Sequence, residues 1–325
     1  RIPLSRDQPR GPQMQIDEKA RVAVIGTGTI GASWTALFLA AGHEVAASDP
    51  AEGAEDRLRA QVAANWGDLE TLGVASGSSD NALMSLTFHA DPAAAAEGAM
   101  VVQENAPERI EVKRKLLAQL ETALSPDALI LSSTSGLKPT DMQRDMAHPE
   151  RLVVGHPFNP PHLIPLVEIV GGARTSEQAI AEAVRFYEGV GKQPIRLNRE
   201  ITGHVANRLQ AALWREAVYL AREGVASVAD IDRAMTGALG IRWALMGPHL
   251  TFHLGGGPGG MESFVRNLGP AVESWWADLG DATLDDETRR VLVDGMAETE
   301  GRDVEALARA RNAALLRILA LDRSV

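Results

Sequence analysis

Residues 21–31 read RVAVIGTGTIG, a short apolar run of β-forming residues that leads into the pattern Gly-x-Gly-x-x-Gly. The following residues, 30–41, have the length and apolar character of a helix, and Gly42 is a helix stop signal. Residues 43–49, HEVAASD, then read as a second strand. A strand, a glycine-rich turn, a helix and a strand make a βαβ unit, so this stretch predicts a parallel sheet.

The glycine-rich turn lies between a predicted strand and a predicted helix, which is the context that favours dinucleotide binding. Gly26 permits the tight turn, Gly28 lets the backbone approach a pyrophosphate, and Gly31 allows close helix–sheet packing. Asp49 ends the second strand, 23 residues after Gly26. A carboxylate there accepts hydrogen bonds from ribose hydroxyls and repels a 2′-phosphate, which favours NAD over NADP. The alternative is a glycine turn with an unrelated surface aspartate. The predicted cofactor-binding residues of this part are Gly26, Thr27, Gly28, Thr29, Ile30, Gly31 and Asp49.

The rest of the chain divides into a strand-rich part and a helical part. Further buried strands are predicted at 99–104, 128–134, 151–155, 166–170 and 193–198, with helices at 112–124 and 175–191. From the long helical stretch 201–224 onward, only helices and Gly/Pro loops are predicted. The sequence therefore predicts an α/β domain with a Rossmann-type, doubly wound sheet over 21–200 and an all-α domain over 201–325. Residues 1–20 are predicted to be a flexible tail.

The composition argues against several classes of partner. The formal net charge is −11 and acidic residues are spread along the chain, which argues against a nucleic-acid groove or an anionic membrane surface as a partner. There is no cysteine, so the chain has no disulfide, no thiol nucleophile and no thiolate metal site, and we predict no metal. No apolar stretch approaches the roughly 20 residues of a membrane span. With no signal-peptide core near residue 1, the expected location is the cytoplasm.

Residues 155–170, GHPFNPPHLIPLVEIV, place a carboxylate, Glu168, inside an apolar strand. Carboxylates are almost never fully buried unless a partner pairs with them. Two neighbouring strands joined by the proline-rich turn would bring Glu168 to His156, fix the imidazole tautomer and stabilise the imidazolium. The pair would then make His156 a base, whereas the alternative is a buried pair that only holds the hairpin together. His162 is expected only to cap the turn.

Five stretches, in this order, resemble the 3-hydroxyacyl-CoA dehydrogenase superfamily over nearly the whole chain after residue 20. They are VAVIGTGTIG, VVQENAPERIEVK, SSTSGL, GHPFNPPHLIPLVEIV and ITGHVANRL. The resemblance implies NAD-dependent oxidation of a 3-hydroxyl group. Carried over by matching position, it implies that His156 is the general acid/base and Glu168 its orienting partner. It also implies that Ser135 and Asn207 hydrogen-bond the substrate oxygen.

The same resemblance implies positions beside the cofactor and in the pocket wall. The residues implied on the cofactor side are Glu108, Lys113 and Ser135. Asn159 is implied in the wall of the substrate pocket. His204 departs from the family pattern, because many relatives carry a bulky apolar residue there, and we expect it to change the packing or the polarity of the pocket.

The lysine distribution and the aromatic residues of the helical part bear on the substrate. No lysine lies between Lys19 and Lys113. Because basic side chains usually bind the phosphates of CoA, this weakens the case for a CoA thioester as substrate. Residues 240–264 concentrate aromatic side chains among glycines; these either form core or offer their faces to a quaternary ammonium ion. Residues 242–261 resemble the carnitine-oxidising subgroup of the family. This implies carnitine as substrate, Trp243 and Phe252 beside its cation, and Arg242 facing its carboxylate.

Two alternatives stay open at this point. One is an NAD-dependent dehydrogenase of another 3-hydroxy acid: L-gulonate, hydroxybutyrate or a 3-hydroxyacyl-CoA. The other is a non-catalytic dinucleotide-binding protein, comparable to lens crystallins with this fold. The apolar helical domain predicts a homodimer, although the same apolar faces could close on the chain's own core.

Overall fold

The computed structural model describes residues 19–299 and 303–321. The predicted tail, 1–20, lies outside the described residues except for its last two, of which Ala20 is buried. The chain divides into two compact units, with the division between Val205 and Ala206.

The first unit is built on one eight-stranded sheet. In chain order the strands are β1 (Arg21–Ile25), β2 (Glu44–Ser48), β3 (Leu86–His89), β4 (Val101–Glu104), β5 (Leu129–Ser132), β6 (Leu152–Pro157), β7 (Leu166–Gly171) and β8 (Gln193–Arg196). Their spatial order is β3-β2-β1-β4-β5-β6-β7-β8, and all neighbours are parallel except β6 and β7. The sequence pattern does not predict β3, because only Leu86 of its four residues is buried and no apolar run marks the strand.

Helices cover both faces of this sheet. They are α1 (Thr29–Ala40), α2 (Ala54–Thr71), α3 (Ser79–Leu83), α4 (Pro92–Ala96), α5 (Ile110–Glu121), α6 (Pro139–Met142) and α7 (Glu177–Gly189). Successive residues of a strand point to opposite faces. In β1, Val22 and Val24 accordingly join the core formed with α1, α2 and α7, whereas Ala23 and Ile25 join the core formed with α4 and α5. This confirms the predicted doubly wound α/β architecture.

The second unit contains only helices within the described residues, as predicted. They are α8 (Ala206–Arg222), α9 (Val228–Ala234), α10 (Ile241–Trp243), α11 (Pro248–Gly255), α12 (Gly260–Asp278), α13 (Asp286–Thr299) and α14 (Val304–Leu319). The helix predicted from residue 201 begins instead at Ala206, because residues 201–205 form a turn in which His204 has a φ of 49°. Over the part of the chain that the structure describes, no helix is both long and apolar enough to cross a membrane.

Candidate active site

The turn after β1 has the geometry that its glycines predict. Gly26 has a φ of +87°, and a Cβ on it would lie 2.8 Å from the backbone oxygen of Asn105. A Cβ on Gly31 would lie 1.8 Å from the Gly26 oxygen, so both positions require glycine. A Cβ on Gly28 would meet nothing within 4 Å, which leaves open space over the backbone. Thr27 is buried, Thr29 is exposed and Ile30 is half-buried at the start of α1.

Asp49 closes the same turn from β2. Its Oδ2 accepts hydrogen bonds from the backbone N–H of Thr27 at 2.8 Å and from the Thr27 hydroxyl at 3.2 Å, and its Oδ1 accepts from Ala51 N–H at 2.9 Å. A cavity of about 730 Å³ opens here, and Gly26, Gly28 and Asp49 are among the residues that line it. Gly28 begins α1 without a side-chain cap, so the first N–H groups of the helix are available to an anion. The open backbone, the uncapped helix and the half-buried carboxylate together fit a dinucleotide.

Lys113 and Glu108 lie beside this turn and stabilise loops. Lys113 is 1% exposed, and its ammonium donates to Glu104 Oε1 at 2.8 Å and to the Ala106 carbonyl at 2.9 Å. Lys113 therefore stabilises the loop after β4 from inside the fold. Glu104, which sequence reasoning missed, lies on β4 with no exposed surface and also accepts from the Ser132 hydroxyl. Its signal in the sequence was a carboxylate inside the apolar run VVQE.

Glu108 organises the loop that follows β5. One of its oxygens accepts from the Thr134 hydroxyl at 2.6 Å and from the backbone N–H groups of Ser135 at 2.9 Å and Gly136 at 2.8 Å. Burial raises the pKa of the Glu108 carboxyl, but these hydrogen bonds and the Lys113 ammonium outweigh it, so the pKa lies below its ordinary value. The ionised Glu108 thus holds the loop that carries Ser135, whose side chain is exposed at the carboxyl end of β5.

His156 and Glu168 face each other across the antiparallel pair β6–β7. The register places them directly opposite, and His156 Nδ1 lies 2.9 Å from Glu168 Oε2. The imidazole is 6% exposed and the carboxylate is fully buried. The other carboxylate oxygen, Oε1, accepts from the backbone N–H of Val205 at 2.9 Å. A carboxylate only accepts, so Nδ1 carries the proton and donates a hydrogen bond to Glu168, and the lone pair is on Nε2. The described residues provide no hydrogen-bond partner for Nε2.

A polar network in the same unit, partly buried, was not predicted. The Tyr187 hydroxyl donates to Gln103 Oε1 at 2.8 Å, the Gln103 amide donates to Ser133 Oγ at 2.9 Å, and the Ser133 hydroxyl donates to Asn105 Oδ1 at 2.7 Å. Burial raises the pKa of Tyr187 far above its usual range, so it is a neutral donor. The network links the loop after β4 to the loop that precedes Ser135. Its members are too far apart in sequence for any local pattern to join them.

The remaining candidates lie in three places. Asn159 is exposed just after β6, in the same unit as His156. Asn207 is half-buried in the first turn of α8, in the second unit. Arg242 and Trp243 are exposed on α10, and Phe252, 44% exposed on α11, stacks on Phe264 with 4.8 Å between ring centroids. The structure therefore brings Phe252 to Phe264, while among the described residues no ring contact joins Phe252 to Trp243.

His162 does more than cap the turn. Its Nδ1 lies 2.7 Å from Ser33 Oγ, its Nε2 lies 3.3 Å from Asp68 Oδ2, and its backbone N–H donates to Ser33 Oγ at 2.8 Å. The proline-rich turn is thus attached to α1 and α2.

Comparison with known proteins adds to this geometry. The chain matches the NAD binding domain of 3-hydroxyacyl-CoA dehydrogenase over residues 21–201 and the C-terminal domain of the same enzyme over residues 203–290. It is 49% identical to the L-carnitine dehydrogenase of Streptomyces coelicolor over 300 residues, which are 92% of this chain and 93% of that protein. It is 48% identical to the L-carnitine dehydrogenase of Streptomyces griseus over 314 residues, which are 96% of this chain and 92% of that protein.

Among solved structures, the fold is similar to a pyridine-carboxylic acid dehydrogenase. This is 5-formyl-3-hydroxy-2-methylpyridine 4-carboxylic acid 5-dehydrogenase, described as an NAD+ dependent dismutase. The TM-score is 0.78 at 27% sequence identity, and the match covers 93% of this chain and 98% of that one.

Proposed function

The chain belongs to the 3-hydroxyacyl-CoA dehydrogenase family, and from this premise we propose that it oxidises the 3-hydroxyl group of L-carnitine to 3-dehydrocarnitine with NAD. The observation that carries the proposal is the buried His156–Glu168 pair, which presents an unpaired Nε2 in a chain 49% identical to an L-carnitine dehydrogenase. This arrangement is suited to general acid–base catalysis on an alcohol.

In the proposed mechanism His156 is the general base. Its Nε2 takes the proton of the 3-hydroxyl group while Nδ1–H stays donated to Glu168, whose charge stabilises the imidazolium. NAD, when bound at the turn 26–31 and Asp49, supplies the acceptor for the hydride that leaves C3. Ser135 and Asn207 are the proposed donors to the C3 oxygen as it becomes a carbonyl. In the reverse direction His156 returns the proton.

For the substrate we propose further residues on the strength of the sequence. Arg242 is the proposed partner of the carnitine carboxylate, since a guanidinium binds a carboxylate through two parallel hydrogen bonds. Trp243 and Phe252 are the proposed neighbours of the trimethylammonium group, because aromatic faces attract quaternary cations. Asn159 is proposed for the pocket wall.

Comparison of substrates tests the assignment most directly. Initial rates of NADH formation are measured with L-carnitine, L-gulonate and 3-hydroxybutyryl-CoA, each with NAD. We expect L-carnitine to give the highest kcat/KM. A higher kcat/KM with L-gulonate or 3-hydroxybutyryl-CoA would contradict the assignment of carnitine and identify that compound as the better substrate. Tight NAD binding without turnover of any hydroxy acid would favour the non-catalytic alternative.

We also propose that the protein is a cytoplasmic homodimer. The chain has no cysteine and therefore lacks the disulfides that are typical of small secreted domains. Support for the dimer comes from the second unit, where Trp214, Trp275 and Trp276 are between 52% and 67% exposed. Exposed aromatic side chains of this size are typical of protein interfaces. Sedimentation velocity tests the proposal, and a monomer at micromolar concentration would contradict it.

A further inference from the structure

His204 lies in the turn before α8 under unusual constraints. It is 1% exposed. Among the described residues it is the one non-glycine residue with a positive φ, which is 49°. Side chains with a Cβ adopt this conformation rarely, and they keep it when surrounding contacts fix them. Burial and backbone geometry together indicate that the position of this ring is fixed by its neighbours.

Those neighbours are three parts of the proposed site. The His204 ring packs on the His156 ring with 5.2 Å between centroids and 45° between planes. Its Nε2 lies 3.2 Å from the carbonyl oxygen of Thr134, in the loop that carries Ser135. The next residue, Val205, donates its backbone N–H to Glu168. The turn at His204 therefore connects the base, its carboxylate and the Ser135 loop.

The hydrogen bond to Thr134 fixes the form of the His204 ring. A carbonyl oxygen only accepts, so Nε2 carries the proton and Nδ1 carries the lone pair. Nδ1 is buried and has no hydrogen-bond partner, so a second proton there would have no acceptor. Burial lowers the pKa of His204, and the neighbouring His156 lowers it further, against the opposing effects of the Thr134 carbonyl, Glu168 and Glu108. The lowered pKa and the missing acceptor at Nδ1 both favour the neutral form of the His204 ring.

We propose that His204 is a positioning residue, whose neutral ring holds His156 in orientation and, through the Thr134 carbonyl, fixes the base relative to the Ser135 loop. The inference rests on the proposed function, because it assumes that His156 is the base. Phe158 packs edge-on against His156 at 4.7 Å, so the imidazole has ring neighbours in addition to its carboxylate. An apolar side chain at 204 would occupy the space without holding the loop.

Three substitutions separate the effect of the hydrogen bond from His204 to the Thr134 carbonyl from the effect of the volume that the His204 ring fills. In His204→Phe the ring volume is kept and the donor is lost. In His204→Gln the side chain is neutral and long enough for its amide N–H to reach the Thr134 carbonyl. In His204→Asn the residue tolerates the left-handed backbone but is too short to reach that carbonyl. The measurements are kcat and KM with the substrate that the unaltered protein turns over, the dissociation constant of NADH, and the melting temperature.

We expect His204→Phe and His204→Asn to lower kcat about 10-fold to 100-fold, since misplacement by about 1 Å costs this much. NADH affinity should change less than about twofold, and His204→Gln should recover most of kcat. Equal kcat in the Phe variant and the unaltered protein, or equal losses in all three folded variants, would overturn the inference. If His204→Phe does not fold, the Gln–Asn pair decides it. Failure of the unaltered protein to oxidise L-carnitine would instead count against the proposed function.

Discussion

His156 and His162 lie six residues apart on the same segment, are both buried and both face a carboxylate, yet their environments differ in one respect. Both ring nitrogens of His162 are engaged, one by Ser33 and one by Asp68. Only Nδ1 of His156 is engaged, and Nε2 has no hydrogen-bond partner within the described ranges. A histidine needs a free nitrogen to exchange a proton with substrate. The availability of the second nitrogen, more than burial or a carboxylate partner, therefore separates the proposed base, His156, from a histidine that only cross-links the fold.

The largest effect is expected from removing the proposed base, His156. His156→Ala should lower kcat by about 10³-fold, because the substrate proton loses its acceptor. The NADH dissociation constant should change less than about twofold, since the turn 26–31 and Asp49 are untouched. Stopped-flow or steady-state assays with L-carnitine and an NADH titration measure both quantities. Unchanged kcat in this variant would remove His156 from the mechanism and with it the contrast between the two histidines.

A smaller loss is expected from Glu168→Gln, which keeps the shape of the side chain and removes its charge. In the unaltered protein one carboxylate oxygen accepts from His156 and the other from Val205. An amide has one oxygen, so it can accept from only one of these two donors without rearrangement. With the imidazolium no longer stabilised, we expect kcat to fall about 100-fold. The matched control is Asp68→Asn beside His162, for which kcat should stay within about twofold. Equal effects of the two substitutions would mean that the two carboxylates have the same role.

The converse test is His162→Ala. It removes the hydrogen bonds that the His162 ring makes with Ser33 and Asp68, so the free energy of unfolding should fall by about 1–3 kcal/mol. In the fraction that stays folded, kcat/KM should remain within about threefold of the unaltered protein. Urea unfolding followed by tryptophan fluorescence measures the first quantity, and assays at low temperature measure the second. A large loss of kcat with an unchanged free energy of unfolding would show that His162 takes part in the chemistry.

Local patterns in the sequence were sufficient for the turn at 26–31 and for the His156–Glu168 pair. The turn depends on glycines at positions that leave no room for a Cβ. The pair depends on a carboxylate inside an apolar strand, which needs a partner when it is buried. The start of α8 could not be predicted, because a positive φ at a histidine leaves no mark in the sequence. The partners of His162 and Lys113 could not be predicted either. Those contacts depend on which elements lie side by side in the fold, and spacing along the chain does not specify this.

The smallest effect is expected at Lys192, which contacts the backbone around His162. Its buried ammonium donates to the carbonyl of Pro161 and to that of Ile164 at 2.9 Å, on either side of His162, and lies 5.5 Å from the centre of the Trp34 ring. Burial lowers the pKa of Lys192 from 10.5 to about 7. Lys113, by contrast, is buried against the carboxylate of Glu104. Within the described residues Lys192 has no carboxylate partner that would favour its protonated form.

This difference predicts a pH dependence of stability. Between about pH 7 and about pH 10.5 the unfolded chain binds more protons at Lys192 than the folded chain, so its contribution to the free energy of unfolding rises with pH. The slope is at most about 1.4 kcal/mol per pH unit, and the contribution is constant below the folded pKa. In Lys192→Met this part of the slope should be absent from urea unfolding curves measured across that range. Lys115→Met, at an exposed position, is the control and should keep the slope. Parallel curves for the unaltered protein and Lys192→Met would mean that the two carbonyls hold Lys192 charged in the folded state.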